Sequence, residues 1–166
     1  MHITIDRAKP TDAQLILDYL KQVGGETDNL TFGAEGMPFS AQEEAAYIAQ
    51  FENSKDSIML VAKDGDKIVG IGTLERLPRR MNHRGDLGLS VAKSHWNKGI
   101  GSELMEKLLG FARENGFEIV DLQVRSDNIS AIHIYHKFGF QKLGTHPAFH
   151  KVEDNDVGFD YMYRKL

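Results

Sequence analysis

The segment that most restricts the fold runs from residue 86 to residue 124, where a strand, a turn with two glycines, a long amphipathic helix and a second strand follow one another. Asp86 to Val91 reads as the first strand. Gly99 to Asn115 places Leu104, Met105, Leu108, Leu109 and Ala112 on one helical face, and Gly116 closes that helix. Ile119 to Val124, rich in β-branched residues, is the second strand. A crossover of this kind makes its two strands parallel neighbours. Upstream, Ser57–Ala62 and Lys67–Leu74 flank Asp64-Gly65-Asp66, a hairpin signal, so the rest of the sheet is antiparallel. The fold class is α+β, a mixed and mostly antiparallel sheet flanked by helices. A doubly wound fold is excluded.

The remaining elements fit around this unit. Ile3 and Ile5 alternate as a short strand that Pro10-Thr11 stops. Thr11 and Gln14 have capping-box spacing ahead of an apolar stripe of Ile16, Tyr19, Leu20 and Val23, and Gly24-Gly25 ends that helix. Glu26 to Phe39 reads as a loop. Ser40 and Glu43 form a second capping box, and Tyr47, Ile48 and Phe51 give the helix it opens a core face. Pro78 to Arg84 is a polar connection. A short helix spans Ser130 to Lys137, and Phe140–Leu143 and Val157–Tyr163 are the last strands, separated by a polar loop with Asp154, Asn155 and Asp156. The order is β-α-α-β-β-β-α-β-α-β-β.

No repeat, low-complexity tract or linker divides the chain, and its 166 residues read as one domain over 1–166. A chain of that length buries roughly 70% of its unfolded surface. A formal net charge of -4 argues against nucleic-acid binding by bulk charge. The chain has no cysteine, which excludes disulfides, Cys-ligated zinc and a cysteine nucleophile. The N-terminus lacks the basic and apolar regions of a signal peptide, and no apolar run approaches the ~20 residues of a membrane span. The expectation is a soluble, cytoplasmic protein with neither a membrane nor a nucleic-acid partner.

The turn before the long helix carries the chemistry. Its first N–H groups lack intrahelical partners and lie at the positive end of the helix dipole, and glycines let an anion approach them. A P-loop would need lysine after the glycine, where Ser102-Glu103 stands. A Rossmann fingerprint would need a third glycine, where Leu104 stands, although Asp121 follows at the spacing of a ribose-binding acid. The meander ahead of residue 86 also contradicts the Rossmann reading. Taken alone, the two glycines leave a phosphate site and a plain turn equally open.

A second motif, Asn128-Ile129-Ser130-Ala131-Ile132-His133-Ile134-Tyr135-His136-Lys137-Phe138-Gly139-Phe140, follows the next strand. With Trp96-Asn97-Lys98-Gly99-Ile100-Gly101, it resembles the GNAT superfamily of acyl-CoA-dependent N-acetyltransferases. The first family motif is Gln/Arg-x-x-Gly-x-Gly/Ala, and Trp96 replaces its Gln or Arg. The second, Asn-x-x-Ala-x-x-x-Tyr-x-Lys-x-Gly-Phe, is matched at Asn128, Ala131, Tyr135, Lys137, Gly139 and Phe140. The strand order agrees with that fold over nearly the whole chain.

The resemblance implies that the backbone at Leu89 and Val91 pairs with the pantetheine arm of acetyl-CoA, or of coenzyme A. It implies that Trp96, Asn97, Lys98, Gly99, Ile100, Gly101 and Ser102 cradle the pyrophosphate and that Asn128 contacts the cofactor arm. Tyr135 would contact the cofactor and act as the catalytic acid that protonates the departing thiolate. A thiol titrates near ~8.5 and a phenol near ~10, so that transfer is modestly uphill. The acceptor would be an amine, on a small molecule or a peptide or protein N-terminus, that attacks the thioester directly without a thiol relay. Family members are often homodimers. A module that keeps coenzyme A or a nucleotide without turnover is the alternative.

The proton of the amine needs a base. Asp86, Glu75, Glu26 and Asp28 are carboxylates near the right elements, and none is singled out. Glu26, Asp28, Glu35, Glu153, Asp154 and Asp156 make the acceptor-side loops acidic, which favours a cationic acceptor. Arg79, Arg80, His83 and Arg84 read as a solvated turn. The histidine pairs His133/His136 and His146/His150 lack the further ligands of a metal site, so no metal is expected.

Overall fold

The computed structural model describes all 166 residues. Seven strands form one sheet in the order β1-β2-β3-β4-β5-β7-β6. They are β1 (Ile3–Arg7), β2 (Ser57–Asp64), β3 (Lys67–Arg76), β4 (Arg84–Val91), β5 (Ile119–Arg125), β6 (Gln141–Val152) and β7 (Asn155–Lys165). All neighbours are antiparallel except β4 and β5, the two strands of the crossover. The helices are α1 (Ala13–Glu26), α2 (Ala41–Ala49), α3 (Ile100–Glu114) and α4 (Ile129–Lys137).

Both faces of the sheet are covered, and the side chains of β2 alternate between two cores. Ile58, Leu60 and Ala62 join Leu104, Met105, Leu108 and Leu109 of α3. Met59 and Val61 join Ile16, Tyr19 and Val23 of α1 and Ile48 of α2. Two-sided burial is why Ile58 to Ala62 is an unbroken apolar run. Leu104 and Leu108 are fully buried, each contributing about 1.5–3 kcal/mol. Gly72 of β3 admits α3 closely, because a Cβ there would lie 2.9 Å from Leu108 Cδ1.

Three local expectations are corrected. The Thr11–Gln14 capping box does not form. Pro10–Asp12 is a 3-10 turn in which the Asp12 carboxylate accepts the Lys9 N–H at 2.9 Å and Lys63 Nζ at 2.6 Å, and α1 starts after it. The Ser40–Glu43 box does form, with bonds of 3.1 and 2.8 Å. Gly24-Gly25 does not end α1. A Cβ on Gly24 would lie 2.0 Å from the Gly33 carbonyl oxygen, so glycine serves close approach of the following loop. The polar stretch after Leu143 is not a loop either. It is the outer part of a β6–β7 hairpin, with register breaks between Lys142 and Gly144 and between His146 and His150.

Candidate functional site

β4 and β5 pair over only three positions: Arg84↔Ile119, Gly85↔Val120 and Asp86↔Asp121. β4 continues to Val91 on β3, and β5 continues to Arg125 on β7. Each strand keeps its other neighbour, so the two part beyond Asp86. The phase of the β3–β4 ladder is set by the Ala92 N–H on the Val69 carbonyl and the Leu77 N–H on the Arg84 carbonyl. That phase turns the backbone groups of Leu87, Leu89 and Val91 toward the opening. Leu89 and Val91 therefore hold a bare strand edge inside the sheet.

At the end of that edge lies the glycine turn. Asn97 (φ 59) and Gly99 (φ 81) are both left-handed. The first intrahelical bond of α3 runs from the Glu103 N–H to the Gly99 carbonyl, so the N–H groups of Ile100, Gly101 and Ser102 have no helical acceptor. The turn is held by its own contacts. The Trp96 indole N–H donates to the Val91 carbonyl, Lys98 Nζ donates to the Ser94 carbonyl, and the Lys93 N–H donates to Glu26. A Cβ at Gly101 would meet Ile134, Leu89 and Val91 at 3.6–3.9 Å, an ordinary contact. Chain packing does not demand glycine there, and the space left open adjoins free amides. Such a cradle fits a phosphate group.

The same contacts show that α4 faces the start of α3, which brings the two sequence motifs together. Asn128 caps α4, its Oδ1 accepting the Ala131 N–H at 3.3 Å, and the residue lines an open hollow with Asp28, Arg125 and Ser130. Tyr135 is buried, 6% exposed, with its ring 5.9 Å from that of Phe140. Burial pushes its hydroxyl up to about 12.

On the opposite face of the sheet, Glu75, Asp86 and Asp121 stand directly across from one another on β3, β4 and β5. Asp121 is paired with Arg84 Nε at 2.7 Å. Glu75 accepts the Tyr47 hydroxyl at 2.8 Å, and Asp86 accepts Gln123 Nε2 at 3.3 Å. Asp86 keeps an exposed side chain, yet the protein massed around it displaces enough water to raise its pKa. Asp121 and Glu75 add to that rise, against the pull of Gln123 and Arg84. Tyr47, expected in the core, is 40% exposed and reaches over the sheet to Glu75. Helical spacing assigned it to the buried stripe, and only its hydroxyl hinted otherwise.

Negative charge beside the opening thus lies on the sheet as well as in the loops, where Asp28 lines the hollow beside Asn128. Glu26 is bound to Gln22 and the Lys93 amide, Glu35 folds back on the Gly33 N–H, and Asp156 pairs with Lys151. His, Asp and Glu side chains nowhere gather in threes that could hold a metal ion. No helix is long and apolar enough to cross a membrane.

Residues 28–140 match the model of the acetyltransferase (GNAT) family. The chain is 32% identical over 97 residues to the N-alpha-acetyltransferase RimI of Mycobacterium tuberculosis, covering 58% of this chain and 60% of that protein. Matches to the first curated relatives span 60% and 64% of their lengths. A GNAT-family acetyltransferase from Streptococcus pneumoniae superposes with a TM-score of 0.95 at 28% identity, over 99% of this chain and 100% of that one. YncA of Salmonella typhimurium, solved with its cofactor acetyl-CoA, shares the fold at a TM-score of 0.86 and 18% identity, over 100% of this chain and 95% of that one.

Proposed function

Because the chain belongs to the acetyltransferase (GNAT) family, we propose that it moves the acetyl group of acetyl-CoA directly onto a primary amine of a small molecule or of a peptide or protein N-terminus. The observation that carries this reading is the bare edge at Leu89 and Val91, which ends in the free amides of Ile100, Gly101 and Ser102. An extended arm with amide groups, tipped by a pyrophosphate, is complementary to such an edge and cradle. In this reading Leu89 and Val91 hold the arm, Trp96 to Ser102 the pyrophosphate, and the Asn128 amide a polar group of the arm. Acetyl-CoA supplies an activated thioester.

The chain's own side chains then move the protons. Asp86 lies where the strands part, and its raised pKa keeps it a base strong enough to take the amine proton, directly or through water. Tyr135 stays protonated at neutral pH and donates to the departing sulfur. With the hydroxyl near 12 and a free thiol near ~8.5, that transfer is uphill by about 5 kcal/mol. The steeper climb revises the modest one expected from unperturbed groups, and burial of the thiolate in the same apolar surroundings narrows it. A module that only retained coenzyme A would have no use for a tuned Asp86 beside the opening. The same reading takes residues 1–166 as one catalytic domain in the cytoplasm. A homodimer fits the outer edge of β6, which has no strand beyond it and exposes Leu143.

Release of free thiol from acetyl-CoA across a panel of amines and peptides is the test. Acceptor-dependent release supports the reading. No release above hydrolysis with any acceptor, in protein that acetyl-CoA does not stabilise against heat, defeats it.

A further inference from the structure

Tyr19 of α1 belongs to the core shared with α2, is 2% exposed, and places its hydroxyl 3.0 Å from Ser90 Oγ of β4. Burial sets the direction of that bond. Were Ser90 the donor, the Tyr19 proton would be left in the core without an acceptor, the costlier arrangement. Tyr19 therefore donates, and Ser90 keeps its own proton and one lone pair unspent. On one side of Ser90 lies Ile71 of β3, and over it lies α1; on the other side β4 has no neighbour. Ser90 is only half-buried, so its unspent groups meet the opening.

Leu87, Leu89 and Val91 join or pack on the core beneath α3, so Asp86, Gly88 and Ser90 share the acceptor face of β4. At about 3.3 Å per residue, Leu89 and Val91 lie roughly 10 and 16 Å along the strand from Asp86. An aspartate side chain does not bridge that span to an amine attacking a thioester held at Leu89 and Val91. Gly88 stands between, exposed and without a side chain. Opposite it on β3 is Thr73, whose hydroxyl oxygen lies 2.8 Å from where a Gly88 Cβ would stand and so leans over the glycine. The Asp86 carboxylate and the Thr73 and Ser90 hydroxyls thus line one open strip, and they are the kind of polar partners that hold a water.

We propose that Ser90 holds the attacking amine and that the proton the amine sheds crosses Gly88, through water held by Thr73, to Asp86. This rests on the acetyltransferase reading. A neutral primary amine donates one N–H to the free lone pair of Ser90, which turns the nitrogen lone pair toward the acetyl carbon. The C–N bond forms as the C–S bond breaks, Tyr135 gives its proton to the sulfur, and the surplus proton on nitrogen passes by water to Asp86. Exchange with solvent then restores Tyr135 and Asp86. Ser90 touches the substrate, while Tyr19, Thr73 and Gly88 are positioning residues.

The test follows thiol release from acetyl-CoA with methylamine, and with the panel amine turned over fastest, beside calorimetric titration of acetyl-CoA. Ser90→Ala is expected to lower kcat/KM for the amine at least about 10-fold with the Kd for acetyl-CoA unchanged, and Ser90→Thr, which keeps the hydroxyl, less than about 3-fold. Gly88→Ala and Thr73→Val should each cost at least about 5-fold in the parent but less than about 2-fold in Asp86→Asn, because blocking a path costs little once its end is gone. A purely structural role gives the same factor in both backgrounds. Thr73→Val keeps the side-chain shape and decides the matter if Gly88→Ala does not fold. Equal losses in Ser90→Ala and Ser90→Thr, or equal factors in the two backgrounds, overturn the proposal and leave the transferase reading intact. No thiol release by the parent with any amine overturns both.

Discussion

The indole N–H of Trp96 donates to the main-chain carbonyl of Val91 at 2.8 Å, joining the turn to the strand that precedes it. Val91 is the last residue of β4, and its carbonyl belongs to the bare edge. The tryptophan therefore consumes one acceptor of that edge and sets the angle between edge and cradle. It replaces the Gln or Arg of the family motif with a single neutral donor. Trp96→Phe should cost about 1 kcal/mol of stability. It should also raise the KM for acetyl-CoA several-fold while leaving the KM for the amine unchanged, as steady-state kinetics with each substrate varied would reveal.

Gly99 and Gly101 separate the two roles that glycine can have at a helix start. Gly99 has φ 81, so Gly99→Ala forces an L-residue into left-handed backbone, at about 1–2 kcal/mol. Gly101→Ala meets only ordinary contacts, so its melting temperature should match the parent's. Its affinity for acetyl-CoA should fall at least about 10-fold, because a methyl group would crowd the free amides. Binding isotherms beside melting curves resolve the pair. An unchanged affinity in Gly101→Ala would make that glycine a plain helix residue.

Tyr135→Phe removes a buried hydroxyl that bonds to no other side chain. Stability should hold or rise, since no partner is orphaned. At saturating acetyl-CoA, kcat should fall by about 100-fold, with the Kd for the cofactor little changed. Single-turnover rates measured beside cofactor titrations keep the two effects apart.

Asp86 and Asp160 should respond to pH with opposite signs. The folded pKa of Asp86 is raised, so its charge lowers stability at neutral pH. That penalty fades as the pH falls through the folded value toward the unfolded one. Asp160 is lowered. Burial pushes it up, but the Thr145 and Ser126 hydroxyls, each at 2.7 Å, and the Lys142 ammonium outweigh that push. Its stabilisation is present above the unfolded pKa and is lost as the pH falls through the folded one. Asp86→Asn should therefore raise the melting temperature at pH 7, by an amount that shrinks in acid, while slowing turnover at least about 100-fold. Asp160→Ala should lose about 1–3 kcal/mol at pH 7. Melting curves and kcat/KM across pH 4 to 8 decide both, and the acid limb of the rate should lie above the ordinary carboxylate range and vanish in Asp86→Asn.

How far the sequence disclosed this arrangement depended on how local each signal is. The crossover, the Ser40–Glu43 box and the two motifs are written in consecutive residues, and their elements stand where expected. Gly24-Gly25 misled because glycine marks a helix end only when nothing else needs the missing Cβ, and here the Gly33 backbone does. β6 extends beyond its apolar start at Phe140–Leu143 without a signal in the sequence because, as an outer strand, it is largely exposed on both faces and shows little apolar alternation. The acidic row could not be seen at all. Glu75, Asp86 and Asp121 meet only through the register of three strands, and Tyr47 reaches them from a helix in a different layer.

The three-position contact between β4 and β5 has a mechanical consequence. It divides one sheet into two plates, β1–β4 and β5–β7, riveted at one end by Arg84, Gly85 and Asp86 and spanned elsewhere by the helices. A guest laid along Leu89 and Val91 would act as the absent strand and splice the plates. Occupancy would then be felt as rigidity far from the bond being made, with amide exchange slowing along both lips of the gap. In the proposed reaction the arm of acetyl-CoA would, for the length of a turnover, be part of the scaffold.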